Sequence, residues 1–265
     1  MTIKSIIEHQ ALLFPPTVDN VTLPSDGALR RQNGNFAAVP ILIGTNRNEG
    51  RIFELGMGQL GEFLDTLFGK TAPQIIPEIE KLYPPYPQAN GYDSVSSVAT
   101  LANFQCGSAL MANETAAQGV PTWRYFFNAT FPNLSPFGGL LEVYHSSEIS
   151  LVWQTYPGGP INPTSPTPLI GDLPTGTKPT AQQVALGKFM NGAWADFAKN
   201  PYAGPGWNQL GTFNGQDLGV IGCDGNCAGV EIINRTTVDD PCQLFLPAFR
   251  AVTGNVYGLT DVSED

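Results

Sequence analysis

Two residues stand where this chain could do acid–base chemistry. Glu49 lies in the polar loop Thr45-Asn46-Arg47-Asn48-Glu49-Gly50, directly after the apolar run Val39-Pro40-Ile41-Leu42-Ile43-Gly44. That run has no polar alternation, which suits a strand buried on both faces. In open α/β sheets, sites form beyond the carboxyl ends of the strands. A carboxylate there can accept a hydrogen bond from an imidazole N–H, fix its tautomer and stabilise the imidazolium. His145 is the matching base, an imidazole with glycines before it at Gly138-Gly139 and polar residues around it. Imidazole is the usual proton carrier near neutral pH. Position alone favours a plainer reading of both: a solvated loop acid and a structural histidine. His9, with no flanking glycines, has the weaker claim of the two histidines.

The elements that would hold these residues alternate in type. Val39–Gly44, the aromatic run Thr122–Phe127 and Val230–Asn234 read as strands. Residues 59–69, 74–82 and 93–118 read as helices, the last as one long helix or two stacked, with Asp93 or Ser94 as its cap and Gly119 as its stop. Residues 146–154 and 240–252 are weaker helical segments. Thr180 caps a clear helix from 181 to 199, which Pro201 ends. Residues 157–179 hold seven prolines and form a loop that either borders a gorge or decorates the surface. Such alternation implies an α/β fold with a covered parallel sheet. Three strands are too few for so much helix, and their inner edges would stay unpaired. The sheet therefore reads as one that lacks N-terminal strands.

Composition narrows the partners. The net charge is −10, from 13 basic and 23 acidic residues, and there is no basic stripe. Nucleic acid and anionic membrane surfaces are thus poor partners. No apolar run is long enough to span a membrane. No signal core follows Met1, which taken literally keeps the chain in the cytosol. Five Asn-x-Ser/Thr sequons oppose that, at Asn20, Asn113, Asn128, Asn133 and Asn234. The low lysine content and the cysteines also suit a secreted protein. The conflict resolves if the natural start lies upstream. Among Cys106, Cys223, Cys227 and Cys242, a disulfide that includes Cys242 is expected, with Cys223 as partner and two thiols left over. A zinc site is disfavoured, because neither histidine is near the cysteine cluster in sequence.

The segment Phe36 to Phe53 closely resembles the acid-bearing block of the type-B carboxylesterases, the family of the cholinesterases and large fungal lipases. Its pattern runs VPILIGTNxNEGxxF, preceded by Leu23-Pro24 and Ala28-Leu29-Arg30. His145-Ser146-Ser147-Glu148-Ile149 resembles the family's histidine block, with Ser146 where many members have glycine. Trp194-Ala195-Asp196-Phe197-Ala198-Lys199-Asn200-Pro201 resembles its late helix. The resemblance implies the C-terminal half of one α/β-hydrolase domain over 1–265. It implies Glu49 and His145 as members of a Ser-Glu-His triad, in the chain order of that fold. Glu148 becomes a supporting acid, or simply an acid favoured at a helix N-terminus. Ester substrates, small-molecule or lipid, are implied, with no cofactor or metal. Phe53 and Phe104 could line a pocket or could equally be core.

The nucleophile elbow G-x-S-x-G occurs nowhere; Cys106-Gly107-Ser108-Ala109-Leu110 comes nearest and fails on both flanks. No HGGG-type oxyanion loop is present. In the family both lie N-terminal to the glutamate block, so a missing part about as long as this chain is expected. An incomplete gene model, a split gene or a truncated product would each explain that. Three expectations follow: an ester hydrolase whose C-terminal half is inactive alone, a non-catalytic binding or adhesion relative, or a half that pairs with a separate N-terminal partner.

Overall fold

The computed structural model describes residues 19–22, 27–56, 59–68, 72–82, 91–160, 177–222 and 228–246. A four-stranded sheet runs in the order β1 (Ile41–Asn46), β2 (Thr122–Phe127), β3 (Gln216–Ile221), β4 (Val230–Asn234). The first three strands are parallel; β4 returns antiparallel to β3. The sheet thus has one strand more than its sequence suggests. β3 escapes a propensity reading because it opens on Gln216-Asp217 and carries Gly219, all poor strand formers. Gly219 is there for space: an added Cβ would meet Val230 Cγ2 at 2.9 Å and Trp207 Nε1 at 3.0 Å.

Side chains alternate across β2. Trp123 and Phe127 join Leu186 and Met190 of the helix Ala181–Lys199 in one core. The opposite face carries Arg124 and Phe126 toward the helix that links β1 to β2. That helix is continuous: α4 (Tyr92–Thr100), a π turn (Leu101–Gln105) and α5 (Cys106–Ala117). Three shorter helices precede it: α1 (Gly27–Gln32), α2 (Leu60–Phe68) and α3 (Ala72–Leu82), which holds Pro77 in its interior. α2 and α3 bury Phe63, Leu64 and Ile79 against Val95 and Val98 of α4, and that second core extends to Phe245. Next come α6 (Ile149–Val152), α7 (Ala181–Lys199) and α8 (Thr236–Asp239). Helices therefore cover both faces of the sheet, as the α/β expectation requires.

Helix ends follow local chemistry in part. Thr180 Oγ1 accepts from the Gln183 N–H at 3.0 Å and starts α7 as expected. α4 begins one residue before the expected cap, at Tyr92, after Gly91 in a left-handed conformation (φ 67°). Residues 240–244 of the weaker helical segment form a 3-10 turn, Asp240–Leu244; α-helix resumes at residue 246, and 247–252 lie outside the described residues.

Two sequence expectations need correction. Cys242 is bonded to Cys106, not to Cys223. The chain folds the 3-10 turn Asp240–Leu244 onto the start of α5, which brings the two Cα atoms to 5.2 Å across a separation of 136 residues. Cys223 and Cys227 lie outside the described residues. Asn133 is unsuited to carry a glycan: it is 1% exposed, and its Nδ2, the attachment atom, donates to Pro157 O at 3.0 Å. Asn20 and Asn113 are exposed, and Asn128 and Asn234 are half-buried. β1 also departs from expectation, since only Thr45 and Asn46 are buried while Ile41 to Gly44 are half-buried. It is the margin of the sheet, and among the described residues no strand pairs with its outer edge.

Candidate active site

β1 and β2 are parallel neighbours, so the loops leaving them emerge at the same rim. Glu49 lies three residues past β1, and His145 lies in the loop that follows β2. Glu49 opens a 3-10 turn, Glu49–Ile52, and is 6% exposed, so the solvated loop acid is not what forms. Its Oε1 accepts from the backbone N–H of Asn46 at 2.7 Å. Its Oε2 meets His145 Nδ1 at 2.6 Å. With Glu49 ionised, Nδ1 carries the proton, and Nε2 is the nitrogen left to accept one. The imidazole is 42% exposed, so this half of the site is open.

The turn stays close to α4. The Gly50 N–H donates to Thr100 Oγ1 at 2.9 Å, and Thr100 Oγ1 donates to Ser96 O at 2.8 Å. A Cβ on Gly50 would sit 2.5 Å from Ser96 O. The glycine after the acid is thus a matter of contact distance.

The two loops are fastened by residues that the sequence reading left without a role. Asn48 N–H donates to Val143 O at 2.9 Å, and Asn48 Oδ1 accepts from Val143 N–H at 3.3 Å. Arg51 Nε donates to Leu140 O at 2.8 Å. Arg47 and Arg51 both pair with Glu142, and Arg51 also pairs with Asp93 on α4 and lies over the Tyr92 ring. Asn46 Nδ2 donates to Tyr144 O at 2.8 Å and to Glu148 Oε2 at 2.5 Å. The signal for these residues was their place inside the Thr45–Arg51 motif, whose Asn46, Arg47, Asn48, Glu49 and Arg51 grip the histidine loop.

Glu148 belongs to this network. Burial pushes its carboxyl above the usual range, against the lowering effect of the Asn46 amide. Nearby Glu49 adds to the rise, and His145 opposes it. Tyr125 on β2 faces the same acids; burial first, then Glu148 and Glu49, push its phenol up and keep it neutral. Ser146 sits at φ 71°, a left-handed conformation that explains glycine at this place in many relatives of the block.

Phe53 and Phe104 are not plain core. Their rings stack at 5.6 Å, and both lie on the imidazole, at 5.2 and 5.0 Å between centroids. The π turn presents Phe104. Turns of this kind often occur at functional sites. His9 and residues 161–176 of the proline-rich loop lie outside the described residues. Among the described residues, no group of His, Cys, Asp and Glu could hold a metal ion. No helix among them is long and apolar enough to cross a membrane.

A buried acid on an imidazole, both at the carboxyl rim of a mixed sheet covered by helices, defines part of an α/β-hydrolase. The solved PNB esterase superposes with a TM-score of 0.62 over 88% of this chain and 44% of its own, at 22% identity, which establishes the fold. The carboxylesterase family model matches residues 3–220, and the chain belongs to that family. A secreted lipase, lipase 5 of Gibberella zeae, is 30% identical over 142 residues, 52% of this chain and 22% of the lipase. The fumonisin B1 esterase of Sphingopyxis macrogoltabida is 28% identical over 188 residues, 69% of this chain and 32% of the esterase. The chain thus spans about a third or less of these curated relatives.

Proposed function

We propose that this chain supplies the acid and the base of a serine carboxylic-ester hydrolase, as the C-terminal part of one catalytic domain. In the complete centre, His145 Nε2 takes the proton from a serine hydroxyl as that oxygen attacks the ester carbonyl. The imidazolium returns the proton to the departing alkoxide, leaving an acyl-enzyme and free alcohol. Water then attacks the acyl-enzyme by the same proton path and releases the carboxylic acid. Glu49 holds the imidazole in one tautomer and stabilises its charged form throughout. The observation that carries this reading is the 2.6 Å contact between Glu49 Oε2 and His145 Nδ1. Secretion of the working enzyme is part of the same reading; the Cys106–Cys242 disulfide supports it, since such bonds persist in oxidising compartments.

Alone, the chain offers neither a G-x-S-x-G serine nor an HGGG-type loop. Loss of the nucleophile costs orders of magnitude in rate. The purified chain is therefore expected to leave p-nitrophenyl esters intact. Clear turnover, abolished by a serine-directed phosphonate, would overturn the assignment of roles.

The outer edge of β1, with no strand on it among the described residues, favours a second reading, in which a parallel strand of a separately made N-terminal half completes the sheet. Co-expression with an upstream segment bearing G-x-S-x-G tests it. Co-purification with esterase activity supports pairing. A stable but inactive complex would favour the binding or adhesion relative instead.

A further inference from the structure

The 0% exposed Asn46 takes part in both halves of the acid–base pair. Its backbone N–H holds Glu49 Oε1, while its side-chain amide reaches across to the histidine loop on either side of His145, at Tyr144 O and Glu148 Oε2. Ser147 Oγ lies 3.4 Å from the same nitrogen. The amide has only one workable orientation. Turned over, its oxygen would face a carbonyl and a carboxylate, neither of which donates, and only the long contact with the Ser147 hydroxyl could survive. Asn46 Oδ1 is buried without a partner among the described residues. That cost is tolerated for what Nδ2 does.

We infer that Asn46 is a positioning residue for the acid–base pair: its amide fixes the residues flanking His145 against the strand end that holds Glu49. The inference rests on the proposed roles of Glu49 and His145 and adds a residue to them. A purely structural asparagine would fill space here. Asn46 instead sets the register between the two loops and supplies a donor to Glu148. The groups facing the imidazole are Glu49, Glu148 and the rings of Phe53 and Phe104, while Tyr125 from β2 faces the two carboxylates. Arg47, Arg51 and Glu142 form the neighbouring ion cluster.

The test uses nuclear magnetic resonance on the full chain, in a His9→Gln background that leaves His145 as the one histidine. Asn46→Leu keeps the side-chain size and the backbone N–H but removes the amide; Asn46→Ser is the second variant, should the first not fold. With the fold intact by circular dichroism, exchange of the Nδ1 proton with water should accelerate about tenfold or more, as loss of charge-assisted hydrogen bonds implies. The Glu148 titration, identified by its disappearance in Glu148→Gln, should move to still higher pH, because its donor is gone. A folded variant with both signals unchanged overturns the inference and leaves the pair standing. A parent chain with no protected Nδ1 proton overturns the pair as well, and so separates the two failures.

Discussion

Gly50→Ala is the sharpest perturbation of the site that leaves its chemistry untouched. The new Cβ would lie 2.5 Å from Ser96 O, 2.8 Å from Ala99 Cβ and 2.9 Å from Thr100 N. Two of these three atoms belong to the α4 backbone and have no rotamer to escape into. Either the Glu49–Ile52 turn or the helix must move. Overpacking of this kind costs about 1–3 kcal/mol. Displacement also stretches the bond from Gly50 N–H to Thr100 Oγ1, worth about 1 kcal/mol. Alanine returns roughly 0.5–1 kcal/mol by restricting the unfolded chain. The net loss is about 1–3.5 kcal/mol, a drop of about 2–14 °C in the thermal midpoint for a chain of this size. Gly61→Ala is the control. Nothing lies within 4 Å of its Cβ, and it sits in α2, so the same change should raise stability by about 0.5–1 kcal/mol. Urea and thermal unfolding of both variants decide the matter. If Gly50→Ala unfolds with or above Gly61→Ala, the close approach of the turn to the helix is not what the glycine serves.

Other substitutions probe the same framework. Ser146→Gly should gain about 1 kcal/mol, because a non-glycine residue at φ 71° is strained; an unchanged urea midpoint would contradict this. Replacing Cys106 and Cys242 by alanine should cost about 2–5 kcal/mol, since the bond closes a long stretch of chain. Equal stability with and without reductant would argue against that. Glu148 has a folded-state pKa raised by burial, so its favourable contribution is complete below its ordinary value of 4.5 and is lost as pH rises through the raised value. Glu148→Gln should therefore gain stability over the parent progressively as pH climbs from 4.5. A difference that stays constant from pH 4 to 8 would refute the assignment.

Sequence alone pointed to Glu49 and His145, which the structure brings together at 2.6 Å, and to two of the four strands with their direction, because each carries a strong local signal. Val39–Gly44 and Thr122–Phe127 are apolar runs between polar loops, and the Glu49 block is dense in motif. β4 was legible as a strand but not as an antiparallel one, since direction depends on the turn before it. β3 was missed because Gly219 answers to Trp207 and Val230, contacts no local pattern records. The partner of Cys242 was misread for a related reason. Nearness in sequence suggested Cys223, whereas packing of the 3-10 turn on α5 brought in Cys106, 136 residues away in the chain. Burial of Asn133 is equally non-local, set by Pro157.

The motif around Glu49 has a physical reason to be long. One hydrogen bond to Glu49 could not hold an imidazole that is 42% exposed, because a loop free at both ends would carry it away. The loop is held instead at Leu140, Glu142, Val143, Tyr144 and Glu148 by Arg51, Arg47, Asn48 and Asn46. All four gripping residues lie within six positions of one another, on the end of one strand and one turn. That turn is in turn pinned to α4 through Gly50 and Thr100. The acid and its neighbours therefore act as a single rigid block. The base is held by that block and not by its own loop, so loss of any one grip should loosen His145 more than it unfolds the chain.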